Sequence, residues 1–350
     1  MNILYGVTGE GFGHSSRSQE IILHLQKEGH RVLILTYGQA YPVLKDFFNK
    51  KEYKNKVEIY RVEGFHISFE KGKVSVSETI LKNIEPAVKN IKNWDKIIKK
   101  VKSFSPKVAI TDFEPLTANI SYYLGLPLIS IDNQHRITHM KIKVPAKYQT
   151  DFFIAKGYVS LCPPIATNYI TLSFTKSKLH SKKDFIVSPV LRKEIINLKK
   201  REGTRILVYQ TQKDLEFLKV LKEIKEKFIV YGYNKNLVDG NIHYKKAGRE
   251  FLKDLSECKG IIATAGFTLI SEALYLKKPY FAVPLRGQFE QVLNALYLKQ
   301  SGMGDFSEEP TKDQLEKFVS DLPRYRKKFK DYKTNPEEAN EVLDKILRKL

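Results

Sequence analysis

Short apolar runs alternate with helix-forming stretches along almost the whole 350-residue chain. Runs of this kind are typical of strands buried on both faces, and helices are the usual connections between parallel strands. The alternation therefore predicts an α/β protein built on parallel sheets. The predicted strands are Ile3–Val7, Val32–Thr36, Val57–Val62, Val108–Thr111 and Leu128–Ile131 in a first series, and Arg205–Tyr209, Phe228–Tyr231, Ile261–Thr264 and Tyr280–Pro284, the last strand, in a second.

The two series predict two domains, because a chain of this length is too long for one average domain. We place the join near Phe185–Lys200, where Ser188 and Pro189 precede a charged run. The expected division is 1–186, 187–335 and a final helix, 336–350, which the pair Asn335–Pro336 should begin.

The chain is strongly basic, with 60 Lys and Arg against 39 Asp and Glu and a net charge of +21. This charge favours an anionic partner, either nucleic acid, an anionic membrane face or a phosphorylated substrate. Solvated lysines without any such partner are the alternative. Nucleic acid is not the expected partner, because the sequence has no helix-turn-helix, zinc-finger or RNA-recognition signature.

Cysteine content and the termini restrict the class of protein further. The two cysteines, Cys162 and Cys258, lack the spacing of a disulfide scaffold or a metal site. The first predicted strand has no basic region before it, and no apolar stretch reaches the ~20 residues that cross a bilayer. We therefore expect a cytoplasmic protein.

A glycine-rich turn follows the first predicted strand and ends in Gly11-Phe12-Gly13-His14. A dinucleotide site is one interpretation, but the spacing is not G-x-G-x-x-G and the second strand does not end in an acidic residue. Ligands of open α/β sheets bind outside the carboxyl ends of strands, where Asp112 also lies. His14 and Asp112 could therefore meet as a base and its carboxylate partner. A capping histidine and an unrelated turn aspartate remain the alternative.

The segment from Thr264 to Leu274 carries a second candidate site. A predicted strand reaches Gly266 and a helix begins near Thr268, so backbone N–H groups at the helix start could bind a diphosphate. Glu272, about one turn into that helix, could accept hydrogen bonds from a ribose diol. Glu290 and Gln291 open the next helix and could bind sugar hydroxyls. The alternatives are an ordinary acidic residue near a helix start and a solvated first turn.

This segment resembles the donor signature of GT-B glycosyltransferases, namely the UDP-glycosyltransferases and the enzyme that glycosylates lipid I. The family's G-x-x-[ST]-x-x-E run precedes a strand ending in proline and then [DE]-Q-x-x-N-A. The resemblance implies that Gly266 contacts the diphosphate together with Thr268, and that Glu272 contacts the ribose. Leu269 takes the usual [ST] position, so Thr268 stands one residue early. It assigns Gln288, Glu290 and Gln291 to the donor sugar. Thr264 stands where many members carry a phosphate-binding histidine, and we expect Arg286 to compensate.

The N-terminal half also resembles this family, because Gly13–His14 is similar to its G-H loop. Asp112 with Leu124-Gly125-Leu126-Pro127 resembles the aspartate and G-[IL]-P stretch of the plant members. The resemblance implies that His14 is the base and Asp112 its partner. Gly11, Gly13 and Glu114 are the other residues that we expect near phosphate or acceptor.

The resemblance implies two Rossmann-like domains facing a cleft, the GT-B fold, with a C-terminal helix that crosses back to the first domain. The N-terminal domain would bind the acceptor and the C-terminal domain a nucleotide-sugar, a UDP-sugar above all. Transfer to a hydroxyl would proceed with inversion. We expect no cofactor and no obligatory metal, because the sequence has no D-x-D motif.

The sequence leaves the acceptor open. The lysines and Trp94 between Ser77 and Lys102 could rest on an anionic membrane face or simply pack on the core, and a lipid-phosphate-linked acceptor would suit the first case. A UDP-sugar 2-epimerase-like enzyme, a noncatalytic GT-B-like subunit and a basic nucleic-acid-binding protein are the alternative functions.

Overall fold

The computed structural model describes residues 1–64, 66, 68–70, 73–74, 76–163, 165–177, 179, 181, 184–248 and 250–350. Its contacts divide the chain into two compact units. Unit 1 comprises Met1–Val190 together with Asn335–Leu350, and unit 2 comprises Leu191–Thr334. The chain therefore leaves unit 1 four residues later than the division drawn from the sequence and returns to it at Asn335.

Unit 1 is built on a parallel sheet with the strand order β3-β2-β1-β6-β7-β8-β9 among the described residues. Its central strands are completely buried, which explains their continuous apolar sequences. The strands of unit 1 are β1 (Asn2–Val7), β2 (Arg31–Thr36), β3 (Val57–Arg61), the small pair β4 (Phe69–Glu70) and β5 (Lys73–Val74), β6 (Val108–Asp112), β7 (Leu128–Asp132), β8 (Asn168–Leu172) and β9 (Asp184–Val187).

The helices of unit 1 connect these strands. They are α1 (Phe12–Lys27), α2 (Ala40–Phe48), α3 (Val76–Lys92), α4 (Trp94–Phe104), α5 (Pro115–Leu124), α6 (Arg136–His139) and α7 (Gln149–Ser160), with 3₁₀ turns at Lys51–Tyr53 and Ala146–Tyr148.

Two helices of unit 1 differ from the prediction. α1 begins at Phe12, so that Gly13 and His14 belong to its first turn rather than to the loop before it. The long basic stretch Ser77–Ser103, for which the sequence predicts a kink at Pro86, is divided between α3, which contains Pro86, and α4, with Asn93 between the two helices.

Unit 2 has a second sheet, ordered β12-β13-β11-β10-β14-β15-β16 among the described residues, in which β12 alone runs antiparallel to its neighbour. The prediction that the strand at Tyr280 is the last was wrong, because the three-residue strand β16 follows it. The strands are β10 (Ile206–Tyr209), β11 (Phe228–Tyr231), β12 (Leu237–Asp239), β13 (Ile242–Tyr244), β14 (Gly260–Thr264), β15 (Tyr280–Val283) and β16 (Gly304–Phe306).

The helices of unit 2 pack around this sheet and enclose a core that includes Phe228, Phe281 and Phe318. They are α8 (Lys193–Ile196), α9 (Leu215–Lys222), α10 (Glu250–Glu257), α11 (Phe267–Tyr275), α12 (Phe289–Ser301), α13 (Lys312–Ser320) and α14 (Leu322–Lys328).

The last helix, α15 (Glu338–Leu347), belongs to unit 1, as the fold predicted from the sequence requires. Its apolar face is buried, with Leu343 fully inaccessible. Ser188 donates from its backbone N–H and its hydroxyl to Glu338, both over 2.7 Å. The helix begins two residues after Asn335–Pro336, and Asn335 caps the turn by accepting from the backbone N–H of Glu337.

The described helices include none that is long and apolar enough to span a membrane. The apolar residues of the chain are instead distributed over the two sheets and the faces of the helices that cover them.

Candidate active site

In unit 1 the strand order reverses between β1 and β6, which are neighbours although β1 connects to β2 and β6 to β7. Such switch points are where open α/β sheets bind ligands, beyond the carboxyl ends of the strands. His14 lies in the first turn of α1, just after β1, and Asp112 is the last residue of β6. The topology alone therefore brings the two residues to the same place.

Asp112 is completely buried and is surrounded by hydrogen-bond donors. His14 Nδ1 lies 2.8 Å from its Oδ1. Arg17 binds both carboxylate oxygens, through Nε at 2.8 Å and Nη2 at 2.5 Å, and the Ser18 hydroxyl donates to Oδ2 over 2.8 Å. Burial opposes the charge of Asp112, but the positive charge of Arg17 and the interactions with His14 hold its pKa below the ordinary value.

The ionised state of Asp112 determines which nitrogen of His14 can act as a base. Arg17 Nη2 also lies 2.7 Å from His14 Nδ1, but a guanidinium can only donate hydrogen bonds. A carboxylate is a stronger acceptor than an imidazole, so Nδ1–H donates to Asp112 and Arg17 donates to the same oxygen. This tautomer leaves the lone pair on Nε2, which lies 3.3 Å from Gln134 Nε2.

The sequence analysis missed Arg17 and Ser18, which complete this cluster together with Asn133. Arg17 is 4% exposed and donates to Asn133 Oδ1 over 2.5 Å. Helical spacing could have identified Arg17 and Ser18, since residues three and four positions after His14 share its face of α1.

Three other residues predicted near phosphate or acceptor have different surroundings. Gly11 is the N-cap of α1, with φ 72° and ψ 160°, and Gly13 is the second residue of that helix. Glu114 is 1% exposed and caps α5 by accepting from the backbone N–H groups of Leu116 and Thr117. Burial raises the pKa of Glu114. The structure thus gives Glu114 a structural role, in place of the expected exposed contact.

The segment Asp132–Arg136, at the end of β7 and after it, is buried. Asp132 and His135 are hydrogen-bonded, with Oδ2 and Nδ1 2.7 Å apart and both side chains at most 2% exposed. Burial opposes ionisation, but the interactions with His135 leave the pKa of Asp132 well below its ordinary value. The pair fixes the turn that presents Asn133 and Gln134 to Arg17 and His14.

In unit 2 the strand order reverses between β10 and β14, and Gly266 follows β14 as the N-cap of α11. A Cβ added at Gly266 would meet nothing within 4 Å, so open space lies beside this residue at the start of the helix. Gly266 and Thr268 are both partly exposed. Partial positive charge at a helix start beside open space can bind an anion.

Glu272, on the second turn of α11, is 2% exposed and binds Arg192 through two hydrogen bonds. Arg192 Nε donates to Oε1 over 2.8 Å and Nη2 to Oε2 over 2.9 Å. Burial raises the pKa of Glu272, and the charge of the 30% exposed Arg192 offsets only part of that effect. The sequence analysis missed Arg192, which lies 80 residues away in the chain.

The second part of the motif lies at the start of α12. Gln288 is the N-cap of that helix, and Gln291 accepts from the backbone N–H of Leu285 over 3.0 Å and donates to Gln288. Glu290 is partly exposed in the same first turn. Arg286, exposed in the preceding turn, pairs with Glu309.

Two buried amides support the glycine turn of unit 2. Asn294, fully buried on α12, donates to the Ala265 carbonyl over 2.8 Å and so fixes the turn before Gly266. Gln210, 5% exposed, follows β10 at the switch point, and its Nε2 has no hydrogen-bond partner among the described residues. An unpaired buried donor is costly, and a ligand acceptor would remove that cost.

Residues 1–323 match the family profile described as glycosyl transferase family 1. The chain belongs to this family. An uncharacterized glycosyltransferase of Methanosarcina acetivorans is 23% identical over 87% of this chain and 85% of its own. A Bacillus cereus relative, named as a UDP-N-acetylglucosamine–N-acetylmuramyl-(pentapeptide) pyrophosphoryl-undecaprenol N-acetylglucosamine transferase, is 26% identical over 52% of this chain and 61% of its own.

Solved structures of glycosyltransferases share the fold of this family member. UGT2 of Phytolacca americana has a TM-score of 0.70 at 13% identity and covers 100% of this chain and 99% of its own. MurG of Acinetobacter baumannii has a TM-score of 0.61 at 16% identity and covers 99% of both chains. The chain is therefore a GT-B glycosyltransferase with two α/β units, similar to UDP-glycosyltransferases and to MurG.

Proposed function

We propose that this glycosyltransferase transfers a sugar from a UDP-sugar to an acceptor hydroxyl with inversion, using His14 as the base. The observation that carries the proposal is the buried Asp112–Arg17 pair, which holds the 12% exposed His14 at a switch point of the sheet. A charged network of this kind is costly to bury, and a base with a fixed tautomer is a use for it.

The proposed reaction is one displacement. His14 Nε2 takes the proton of the acceptor hydroxyl while its oxygen forms a bond to the anomeric carbon. The bond from that carbon to the diphosphate oxygen breaks, and its electron pair leaves with the nucleoside diphosphate. Asp112 stabilises the imidazolium that forms, as a carboxylate partner of a histidine base does.

The proposed donor contacts lie in unit 2. The N–H groups at the start of α11 beside Gly266, with Thr268, would bind the diphosphate, and Glu272 would accept from the ribose hydroxyls. Gln288, Glu290 and Gln291 would contact the sugar, and Arg286 the phosphates. The name of the Bacillus cereus relative includes UDP-N-acetylglucosamine, which makes this the first donor to test. The proposal requires no metal, since helix N–H groups and cations would stabilise the leaving diphosphate.

Isothermal titration calorimetry tests the nucleotide assignment. We expect UDP to bind more tightly than ADP or GDP, and Glu272→Gln to weaken UDP binding by about 10- to 150-fold, since a hydrogen bond to a charged group contributes about 1.5–3 kcal/mol. The control is Glu316→Gln, at an exposed position of α13. Equal UDP affinity in wild type and Glu272→Gln would remove Glu272 from the ribose.

A transfer assay tests the base. With UDP-N-acetylglucosamine and the lipid-linked acceptor named for the Bacillus cereus relative, we expect His14→Ala to reduce turnover about 10²–10⁴-fold with unchanged UDP affinity. His30→Ala, also in unit 1, is the control. The anomeric configuration of the product, read by NMR, tests inversion. Turnover of the donor without an acceptor would instead favour the epimerase-like alternative.

A second proposal concerns the membrane and rests on α3. Leu81, Ile84, Val88 and Ile91 follow a 3-4-3 spacing on this helix and are 42–74% exposed. Asn83 and Asn90, on another face, bind the backbone at His66 and Glu63 and so attach the helix to unit 1. An exposed apolar stripe on a basic chain suits the surface of an anionic bilayer. We infer that α3 lies on such a surface, which would bring unit 1 to a lipid-linked acceptor.

Vesicle co-sedimentation tests this second proposal. We expect binding to vesicles containing phosphatidylglycerol, little binding to phosphatidylcholine vesicles, and loss of binding in Ile84→Glu/Ile91→Glu. Leu215→Glu/Val238→Glu, at exposed apolar positions of unit 2, is the matched control. Equal binding of both double variants would contradict the assignment to α3.

A further inference from the structure

Unit 2 contains a cavity at the end of its sheet opposite to Gly266. Its lining includes Cys258 and Lys259, just before β14, and Lys277 and Lys278, between α11 and β15. The five residues of β14 separate this end from the glycine turn by roughly 16 Å. The cavity is therefore distinct from the proposed donor contacts.

The lining of this cavity is strongly basic. In the described part of the chain it contains six cations and one carboxylate, Glu202. Three of the cations have carboxylate partners. Arg201 pairs with Glu257 over 3.1 Å, Lys259 with Glu226 over 2.7 Å, and Arg326 with Glu202 over 2.7 Å.

The other three cations have no carboxylate partner among the described residues. Lys278 is 5% exposed and donates to the carbonyls of Cys258 and Arg201, which leaves one of its three N–H groups unused. Lys200 packs against the Tyr275 ring, with Nζ 4.4 Å from the ring centroid. Burial and the nearby positive charge of Lys277 lower the pKa of Lys200. The cavity therefore holds two like charges close together.

The end of α11 fixes the place of Lys277. This residue follows the C-cap of the helix with a φ of 60°, in the left-handed region in which helices commonly end. The backbone N–H groups of Lys277 and Lys278 donate to the carbonyls of Leu274 and Ala273 over 3.0 and 2.9 Å. The helix end therefore places Lys277 at the cavity beside Lys200.

We propose that this cavity binds the phosphate group of a small phosphorylated molecule or of a lipid headgroup, with Lys200, Lys277 and Lys278 as its cationic contacts. Its volume of about 270 Å³ is near the lower end of small-molecule pockets and accommodates one or two phosphate groups with a small substituent. An anion in the cavity would pair with these three lysines, which have no carboxylate partner among the described residues.

Lysine acetylation read by mass spectrometry tests the site without requiring the natural ligand. We expect sodium pyrophosphate to reduce acetylation of Lys200 and Lys277 at least fivefold in the full chain. Lys219 and Lys312, at other positions on unit 2, should be unaffected. Equal protection of all four lysines would mean general charge screening and would overturn the proposal.

Calorimetry with matched variants provides the second measurement. We expect Lys200→Gln/Lys277→Gln to bind pyrophosphate at the cavity at least tenfold more weakly, and Lys219→Gln/Lys312→Gln, with the same change in net charge, to bind as wild type does. If both double variants retain wild-type binding, the assignment to this cavity is wrong.

Vesicles containing phosphatidic acid distinguish the two sources of phosphate. Protection of Lys200 and Lys277 by these vesicles, but not by pyrophosphate, supports a lipid headgroup. Protection by pyrophosphate in solution, but not by the vesicles, supports a soluble phosphorylated ligand. Protection by neither overturns the proposal.

Discussion

In each unit, an arginine donates hydrogen bonds to a buried carboxylate near the switch point of the sheet. The pKa values of the two carboxylates are nevertheless shifted in opposite directions. In unit 1 the pKa of Asp112 is below its ordinary value, whereas in unit 2 the pKa of Glu272 is above it. Burial opposes ionisation in both cases, so the difference lies in what offsets it.

The two arginines differ in their own exposure. Arg17 is 4% exposed, so water screens its charge little, and His14 and Ser18 add donors to the same carboxylate. Arg192 is 30% exposed, and its charge is partly screened. An arginine therefore keeps a buried carboxylate ionised when it is buried as well. Asp112 therefore stays ionised, whereas a change in pH or another hydrogen-bond donor changes the ionisation of Glu272 more easily.

The largest effect should come from Asp112→Asn, which leaves the buried Arg17 without a countercharge. We expect the free energy of unfolding at pH 7 to fall by about 3–5 kcal/mol. Urea denaturation at neutral pH measures it. The loss should persist down to about pH 4 and shrink below it, because a lowered pKa contributes stability above the unfolded value of 3.8 and loses it as pH falls through the folded value. A deficit below 1 kcal/mol at pH 7 would contradict this account.

Alanine substitutions at the two N-cap glycines should distinguish the cost of an unusual backbone conformation from the effect of filling open space. Gly11, with φ 72° and ψ 160°, is in a region almost restricted to glycine, so Gly11→Ala should cost about 1–3 kcal/mol. Gly266 has an ordinary φ of −68° and empty space around its Cβ position, so Gly266→Ala should change stability by less than about 1 kcal/mol.

Thermal unfolding together with UDP titration checks this pair of glycines. We expect Gly266→Ala to weaken UDP binding at least tenfold, because its methyl group would occupy the proposed phosphate position, while Gly11→Ala should leave UDP binding unchanged. The reverse pattern of binding would be incompatible with a donor site at Gly266.

The smallest effect on stability should come from Glu272→Gln, since an amide resembles the protonated carboxyl that burial favours. We expect the free energy of unfolding at pH 7 to be unchanged or slightly higher. A raised pKa contributes stability below the unfolded value of 4.5 that is lost as pH rises through the folded value, so the variant should gain on wild type above pH 4.5. Urea denaturation between pH 4 and pH 7 tests the direction of this change. A variant that becomes less stable relative to wild type as the pH rises over this range would contradict it.

The sequence predicted the central strands of both sheets and the residues at their carboxyl ends, because buried parallel strands have continuous apolar runs and their ends carry polar residues. His14 and Asp112 could be paired from that logic, and their side chains lie 2.8 Å apart. The three-residue strand β16, Gly304-Asp305-Phe306, has no such run and was missed.

The partner of Glu272 could not be predicted from local patterns. Arg192 meets Glu272 only through the packing of distant segments, and nothing near Glu272 in the sequence indicates it. Glu114 was expected near phosphate or acceptor, but it is buried and its carboxylate caps α5. Tertiary packing determines the burial and the hydrogen-bond partners of these side chains, whereas sequence periodicity predicts only the helix or strand in which a residue lies.

The return of the chain to unit 1 has a consequence for biosynthesis. The contacts of α15 with β8 and β9 join residues 338–347 to strands that are translated well before them, with the whole of unit 2 between. Domains generally fold as they emerge from the ribosome, N-terminal first. Here unit 1 begins to be synthesised first but is completed only after unit 2, and the buried positions under Leu343 and Leu347 remain uncovered until α15 has been translated. Nascent chains stalled before residue 335 should therefore be sensitive to protease in unit 1, even where unit 2 is already resistant.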